Sequence, residues 1–161
     1  MKLRELQEKD AEYMLEWMHD ENVCSYLGKD FMHMTIENCQ SFIRTAAQDD
    51  KNRHWAIVDD NDEYMGTISL KQIDQVNKRA EYAISCRSKA MGKGFSRKAT
   101  ASLFEIARDE LHLELIYLNV YDFNQRAQGM YRAVGFEPVP KPDFIEEETD
   151  ARLEWYQKKL A

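Results

Sequence analysis

Apolar residues recur along this chain with two periods, and each change of period marks an element. Residues 2–6 (KLREL) alternate apolar and polar, which predicts a short strand. Asp10 then stands where a helix cap is expected, ahead of Ala11, Met14, Leu15 and Met18 at helical spacing. Thr35 caps a second predicted helix, whose stripe is Ile36, Cys39, Phe42, Ile43 and Ala46. Residues 54–58 read as a strand, 59–62 (DDND) as a turn, and 64–70 as the returning strand. Residues 80–86 form a third strand ending at a glycine turn, after which Phe95, Ala99, Leu103, Ile106 and Ala107 line a long helix. Residues 114–121 (ELIYLNVY) predict a buried strand. Asn124 caps the next helix, Ala127, Met130, Tyr131 and Val134 form its apolar stripe, and Gly135 stops it. Pro138, Pro140 and Pro142 predict an irregular loop before a last strand at 151–157. This order predicts one α/β (α+β) domain over residues 1–161, a mixed and mostly antiparallel central sheet flanked by helices.

Composition narrows the picture. Apolar residues at 43% and charged residues at 32% are enough for a packed core in 161 residues. The net charge of -7 argues against a nucleic-acid partner. No apolar run approaches bilayer length, and the first ten residues hold no apolar signal core, so a cytoplasmic protein without a membrane partner is expected. Cys24, Cys39 and Cys86 are odd in number and widely spaced, which predicts free thiols packed as small hydrophobes. His19, His33, His54 and His112 lie far apart, and the 59–62 acids lack the later Gly and Glu of a calcium loop, so no metal is expected.

Against this acidic background the stretch 89–100 (KAMGKGFSRKAT) gathers positive charge around two glycines. A strand entering a glycine turn and then a helix is suited to anions, because the helix start leaves N–H groups unpaired and carries the positive end of its dipole. Arg87, Lys89, Lys93, Arg97 and Lys98 are expected to add a positive field. The other reading is a solvated basic patch. The P-loop spacing fails, because no glycine stands five residues before Gly92-Lys93, and the dinucleotide fingerprint fails because Arg97 occupies its third glycine position.

Residues 89–94 (KAMGKG) resemble the (Arg/Gln)-x-x-Gly-x-(Gly/Ala) signature of the GNAT acyl-CoA N-acetyltransferases, with Lys89 departing from the usual Arg or Gln and Ser96 standing where glycine is common. Residues 124–136 (NQRAQGMYRAVGF) resemble that family's Asn-x-x-Ala-x-x-x-Tyr-x-x-x-Gly-Phe segment, and the likeness spans nearly the whole chain. The N-terminal helix and the Gly66-Thr67-Ile68 strand resemble the branch holding ribosomal-protein and amino-sugar N-acetyltransferases.

The resemblance implies the GNAT fold and acetyl transfer from acetyl-CoA, as co-substrate, to a primary amine by direct attack. The acceptor it implies is a protein N-terminus, a polyamine or small amine, or an amino-sugar nucleotide, with contacts from residues 20–50 and 138–150. It further implies that the turn at Lys89, Met91, Gly92, Lys93, Gly94, Phe95, Ser96 and Arg97 holds the pyrophosphate. Ile84, Ser85, Cys86 and Asn124 lie beside the pantetheine arm, with Cys86 a backbone contact rather than a nucleophile. Tyr131 matches the general acid to the CoA thiolate, or is a core tyrosine. Glu81 positions or deprotonates the amine, or is a surface acid paired with Arg79 or Lys78. A homodimer is a further implication. The alternative from another class is a non-catalytic acyl-CoA sensor or subunit with the same fold.

Overall fold

The computed structural model describes residues 1–160. Strand β1 (Lys2–Glu5) leads through a 3-10 turn into α1 (Ala11–Met18), α2 (Glu21–Cys24) and α3 (Ile36–Ala46). Then follow β2 (Arg53–Val58), β3 (Tyr64–Asp74), β4 (Arg79–Cys86), α4 (Phe95–Glu105), β5 (Leu115–Tyr121), α5 (Gln125–Ala133), β6 (Glu137–Val139) and β7 (Leu153–Lys159). The strands form one seven-stranded sheet in the order β1-β2-β3-β4-β5-β7-β6. Every neighbouring pair is antiparallel except β4 and β5.

The period-2 pattern sorts the strands onto two faces. Ile57, Ile68, Leu70, Ala80, Tyr82, Ile116, Leu118 and Tyr156 pack on one face with Ala99 and Leu103 of α4 and Tyr131 of α5. On the other face Ala56, Val58 and Tyr64 pack against Ala11, Met14, Trp17 and Met18 of α1 and Cys39 and Ile43 of α3. Beyond β3, two loops border that second face. Gly28 lies against the Tyr121 ring with no room for a Cβ, and Phe144 packs on Tyr117 at 4.9 Å.

Several local expectations are corrected. Asp10 does not cap α1 with its side chain; its buried carboxylate reaches back to the Gln7 N–H at 2.8 Å and takes two bonds from Arg4. Phe42 is exposed, because it packs edge-on against His54 rather than into the core. The helix after the glycine turn widens into a π-helical turn at Ile106–Glu110. Pro138 sits in β6, which pairs only with β7, so its missing N–H faces no ladder partner. Thr35 does cap α3, accepting from the Asn38 N–H at 3.2 Å in a capping box. All three cysteines are free and buried.

Candidate active site

The site begins where two parallel strands part. β4 and β5 pair only over residues 79–81 and 115–117, although both strands run on to Cys86 and Tyr121. Beyond that point each keeps its outer neighbour, β3 or β7, and loses its inner one. The free groups follow from alternation. The Arg87 N–H donates to Met65 O, so odd-numbered residues of β4 pair with β3. The Leu115 N–H donates to Lys78 O, which gives the even residues to β5. The Tyr82 N–H closes the last bond of the ladder, so the Tyr82 C=O and both the N–H and C=O of Ile84 and Cys86 aim into the open wedge. A buried ladder left half-made costs free energy, so this edge suits a ligand with amide groups.

At the wide end of the wedge lies the glycine turn. Gly92 and Gly94 have φ of 74° and 81°, a region that side chains disfavour, and Gly94 is the N-cap of α4. The Lys98 N–H donates to the O of the N-cap Gly94 and so makes the first bond of α4, which leaves the Phe95, Ser96 and Arg97 amides before it with no intrahelical acceptor. The Met91 N–H is engaged with Ser88 O, and its side chain is exposed. The positive field is smaller than the residue count implies. Arg87 is buried, bonded to Glu16, to Glu63 at 2.8 Å and to Tyr64 O, and stacked on Tyr13. Lys89 is held by Glu63 at 2.7 Å, and these two cations keep the Glu63 carboxyl below its ordinary range. Lys93, Arg97 and Lys98 are exposed and have no ion-pair partner among the described residues. The turn and the wedge together fit a diphosphate joined to an amide-bearing arm.

On the α5 side of the wedge stands Tyr131, 8% exposed. Its ring meets Tyr82 edge-on at 5.7 Å and Phe136 at 5.8 Å. Every fully enclosed side-chain N or O among the described residues has a hydrogen-bond partner. The Tyr131 hydroxyl has none, so it is not fully enclosed. Burial, then proximity to Cys86, pushes this phenol well above its ordinary range, and it stays protonated. Burial likewise raises the Cys86 thiol, whose sulfur lies 3.5 Å from the Ser96 hydroxyl; a nucleophile there would need a thiolate.

Asn124 caps α5 through the Ala127 N–H at 3.3 Å. Gln128, which the sequence reading passed over, is buried and does the heavier anchoring. Its amide donates to Tyr121 O and Asp122 O, and its carbonyl accepts from the Tyr156 hydroxyl at 2.9 Å. The available signal was a polar residue among the apolar stripe of α5.

Glu81 lies on the opposite face of the sheet from Tyr131, at the apex of the wedge. Its partner is Lys71 on β3 at 3.5 Å, not Arg79 or Lys78. Arg79 instead pairs with Asp74 and stacks on Phe144. Ala83 and Ser85 continue the Glu81 face, and Tyr117 stands directly across from Glu81. A protonated phenol thus lies on one face of the sheet here and a carboxylate on the other. Among the described residues no three His, Cys, Asp or Glu side chains converge as for a metal, and no helix is long and apolar enough to cross a membrane.

Comparison with known proteins bears on the family and the fold. A family model described as an acetyltransferase (GNAT) domain matches residues 1–137. The spermidine N(1)-acetyltransferase of Vibrio cholerae is 24% identical over 145 residues, covering 90% of this chain and 82% of that protein. The Escherichia coli spermidine N(1)-acetyltransferase is 26% identical over 136 residues, covering 84% and 72%. The crystal structure of the Vibrio cholerae spermidine N-acetyltransferase in complex with CoA and spermine has a TM-score of 0.84 at 21% identity, covering 99% of this chain and 95% of that one. A dodecameric structure of the Vibrio cholerae protein has a TM-score of 0.76 at 20% identity.

Proposed function

The chain belongs to the GNAT acetyltransferase family, an N-acetyltransferase that takes acetyl from acetyl-CoA to an amine, and on that premise we propose that its acceptor is a polyamine. The observation that carries the proposal is the Glu81 carboxylate at the apex of the wedge, whose partner in the fold is itself an alkylammonium, that of Lys71, at 3.5 Å. The net charge of -7 and the two spermidine acetyltransferase relatives support a cationic acceptor over an amino-sugar nucleotide, whose phosphates would be repelled.

The proposed chemistry uses both faces. Acetyl-CoA supplies the thioester. The exposed amides at the start of α4, with Gly92 and Gly94, hold its pyrophosphate, and the Ile84 and Cys86 backbones pair with its arm. Asn124 fixes the start of α5 beside that arm, and Ser85 lines the acceptor face. Glu81 takes a proton from the acceptor ammonium, directly or through water, so that a neutral nitrogen attacks the carbonyl carbon. The Tyr131 hydroxyl faces the departing sulfur, donates a hydrogen bond as the C–S bond breaks, and protonates the thiolate. The balance is one amide and one thiol: Glu81 passes the ammonium's first proton to solvent, and the nitrogen's second proton restores the Tyr131 hydroxyl.

We also propose that the chain works as one catalytic domain in the cytoplasm, supported by its three free thiols, and that it self-associates; sedimentation as a single monomeric species would refute the last point. The experiment that tests the main reading is free-thiol release from acetyl-CoA with three acceptor pools: polyamines and small amines, N-terminal peptides, and amino-sugar nucleotides. Release with the first pool alone is expected. Release only with peptides or sugar nucleotides would overturn the polyamine reading.

A further inference from the structure

Tyr117 has a hydroxyl that the fold does not use. The residue is 4% exposed, and its ring is fixed against Phe144 at 4.9 Å. As with Tyr131, its hydroxyl has no hydrogen-bond partner among the described residues, although every fully enclosed polar side-chain atom there has one. A phenol buried on all sides but its tip must aim that tip at open space. That tip lies on the Glu81 face of the sheet, beside the loop that carries Phe144.

Four charged side chains act on this phenol through space: Glu81, Arg79, Glu147 and Asp74. Two of them cancel, because Arg79 pairs with Asp74 at 3.8 Å. Glu81 and Glu147 are left. Glu81 is shared with Lys71, while the Glu147 carboxylate has no ion pair among the described residues; Lys141 bonds the Glu147 backbone carbonyl instead. The Tyr117 oxygen thus stands beside the Glu81 carboxylate of β4, with the Glu147 carboxylate contributed by the loop between β6 and β7. Burial and then Glu81 push the Tyr117 hydroxyl up to about 12, so it remains an uncharged group that can accept one hydrogen bond and donate another.

We propose that Tyr117 is an acceptor-positioning residue, its hydroxyl accepting a hydrogen bond from an alkylammonium of the acceptor seated between Glu81 and Glu147. This rests on the polyamine reading and deepens it. The substrate class becomes an alkylamine with a second positive charge, one nitrogen at Glu81 for acetylation and another held towards Glu147. Glu147 lies on the loop after β6, so charge selectivity is set by a segment outside the sheet. A hydroxyl and two carboxylates suit an ammonium because it donates three hydrogen bonds and accepts none.

Kinetics with spermidine and with n-butylamine test the idea. Tyr117→Phe keeps the ring on Phe144, so the fold is retained, and unfolding midpoints check this. The expected result is a KM for spermidine raised about tenfold more than the KM for acetyl-CoA. Glu147→Gln is expected to lower the spermidine-to-butylamine ratio of kcat/KM about fivefold, with a further loss of that ratio at raised salt. An unchanged spermidine KM in Tyr117→Phe, or equal losses for the two amines in Glu147→Gln, would overturn the proposal while leaving polyamine acetylation standing. Calorimetry of spermidine binding to the CoA-loaded protein separates the two ideas if thiol release is absent. Binding that weakens in both variants supports the seat even though the acceptor reading has failed, and no binding to the wild type sinks the seat.

Discussion

Replacing Tyr131 by Phe separates catalysis from folding at one atom. The ring contacts with Tyr82, Phe136 and Tyr156 are all aromatic and survive the change. The hydroxyl bonds nothing in the fold, so its loss strands no partner, and the unfolding midpoint should move by no more than a surface substitution would, about 0.5 kcal/mol. The rate should respond. General acids contribute about 10²–10⁴-fold. The low end applies here, because burial raises the phenol above its ordinary range while an alkyl thiol sits near 8.5, as in cysteine, so full proton transfer runs uphill. The expected loss is about 10²-fold in kcat, or roughly 2.7 kcal/mol of barrier. The assay is thiol release from acetyl-CoA with a saturating amine, beside urea unfolding of both proteins. A kcat within about threefold of wild type, at unchanged stability, would refute the assignment and leave Tyr131 a core residue; a large loss of stability would refute the claim that its hydroxyl bonds nothing in the fold.

Other expectations follow from the same geometry. Gly94→Ala forces a side chain into φ of 81° with open space around it, so the cost is conformational; about 1–2 kcal/mol of stability and a raised KM for acetyl-CoA are expected from unfolding and kinetics. Gln128→Leu would leave the buried Tyr156 hydroxyl without its acceptor and Tyr121 O and Asp122 O without their donor; a urea midpoint lowered by the equivalent of about 1–3 kcal/mol is expected, with an unchanged m-value. Burial raises the phenols of Tyr64, Tyr82 and Tyr131, so the folded chain holds these protons more tightly than the unfolded one. Their contribution to stability is complete below the unfolded value of about 10 and is lost as pH rises beyond it. Urea midpoints that stay level well above that pH would contradict the burial assigned to them.

The polar–apolar period was enough to mark the main strands and helices, because each is amphipathic over at least a turn or a few pleats, and Thr35 and Asn124 announced their helices through local side-chain chemistry. The glycine turn was legible for the same reason: positive φ and an open helix start are properties of a few consecutive residues. Charge at a site is not local. The count of five cations around that turn said nothing of Glu16 and Glu63, which come from α1 and the β2–β3 turn and neutralise Arg87 and Lys89. Glu81 could be placed on a strand face from the sequence, but its neighbour Lys71 and its opposite number Tyr117 are set by strand order and register. Gln128 gains its role only where α5 meets the end of β5 and the Tyr156 hydroxyl of β7. The sequence by itself determined the main elements, the family and the glycine turn with its positive φ, since each is written in contiguous residues. Only the tertiary structure decided where β4 and β5 part, which backbone groups that parting leaves free, and which carboxylates and phenols meet there, because those depend on pairings between segments tens of residues apart.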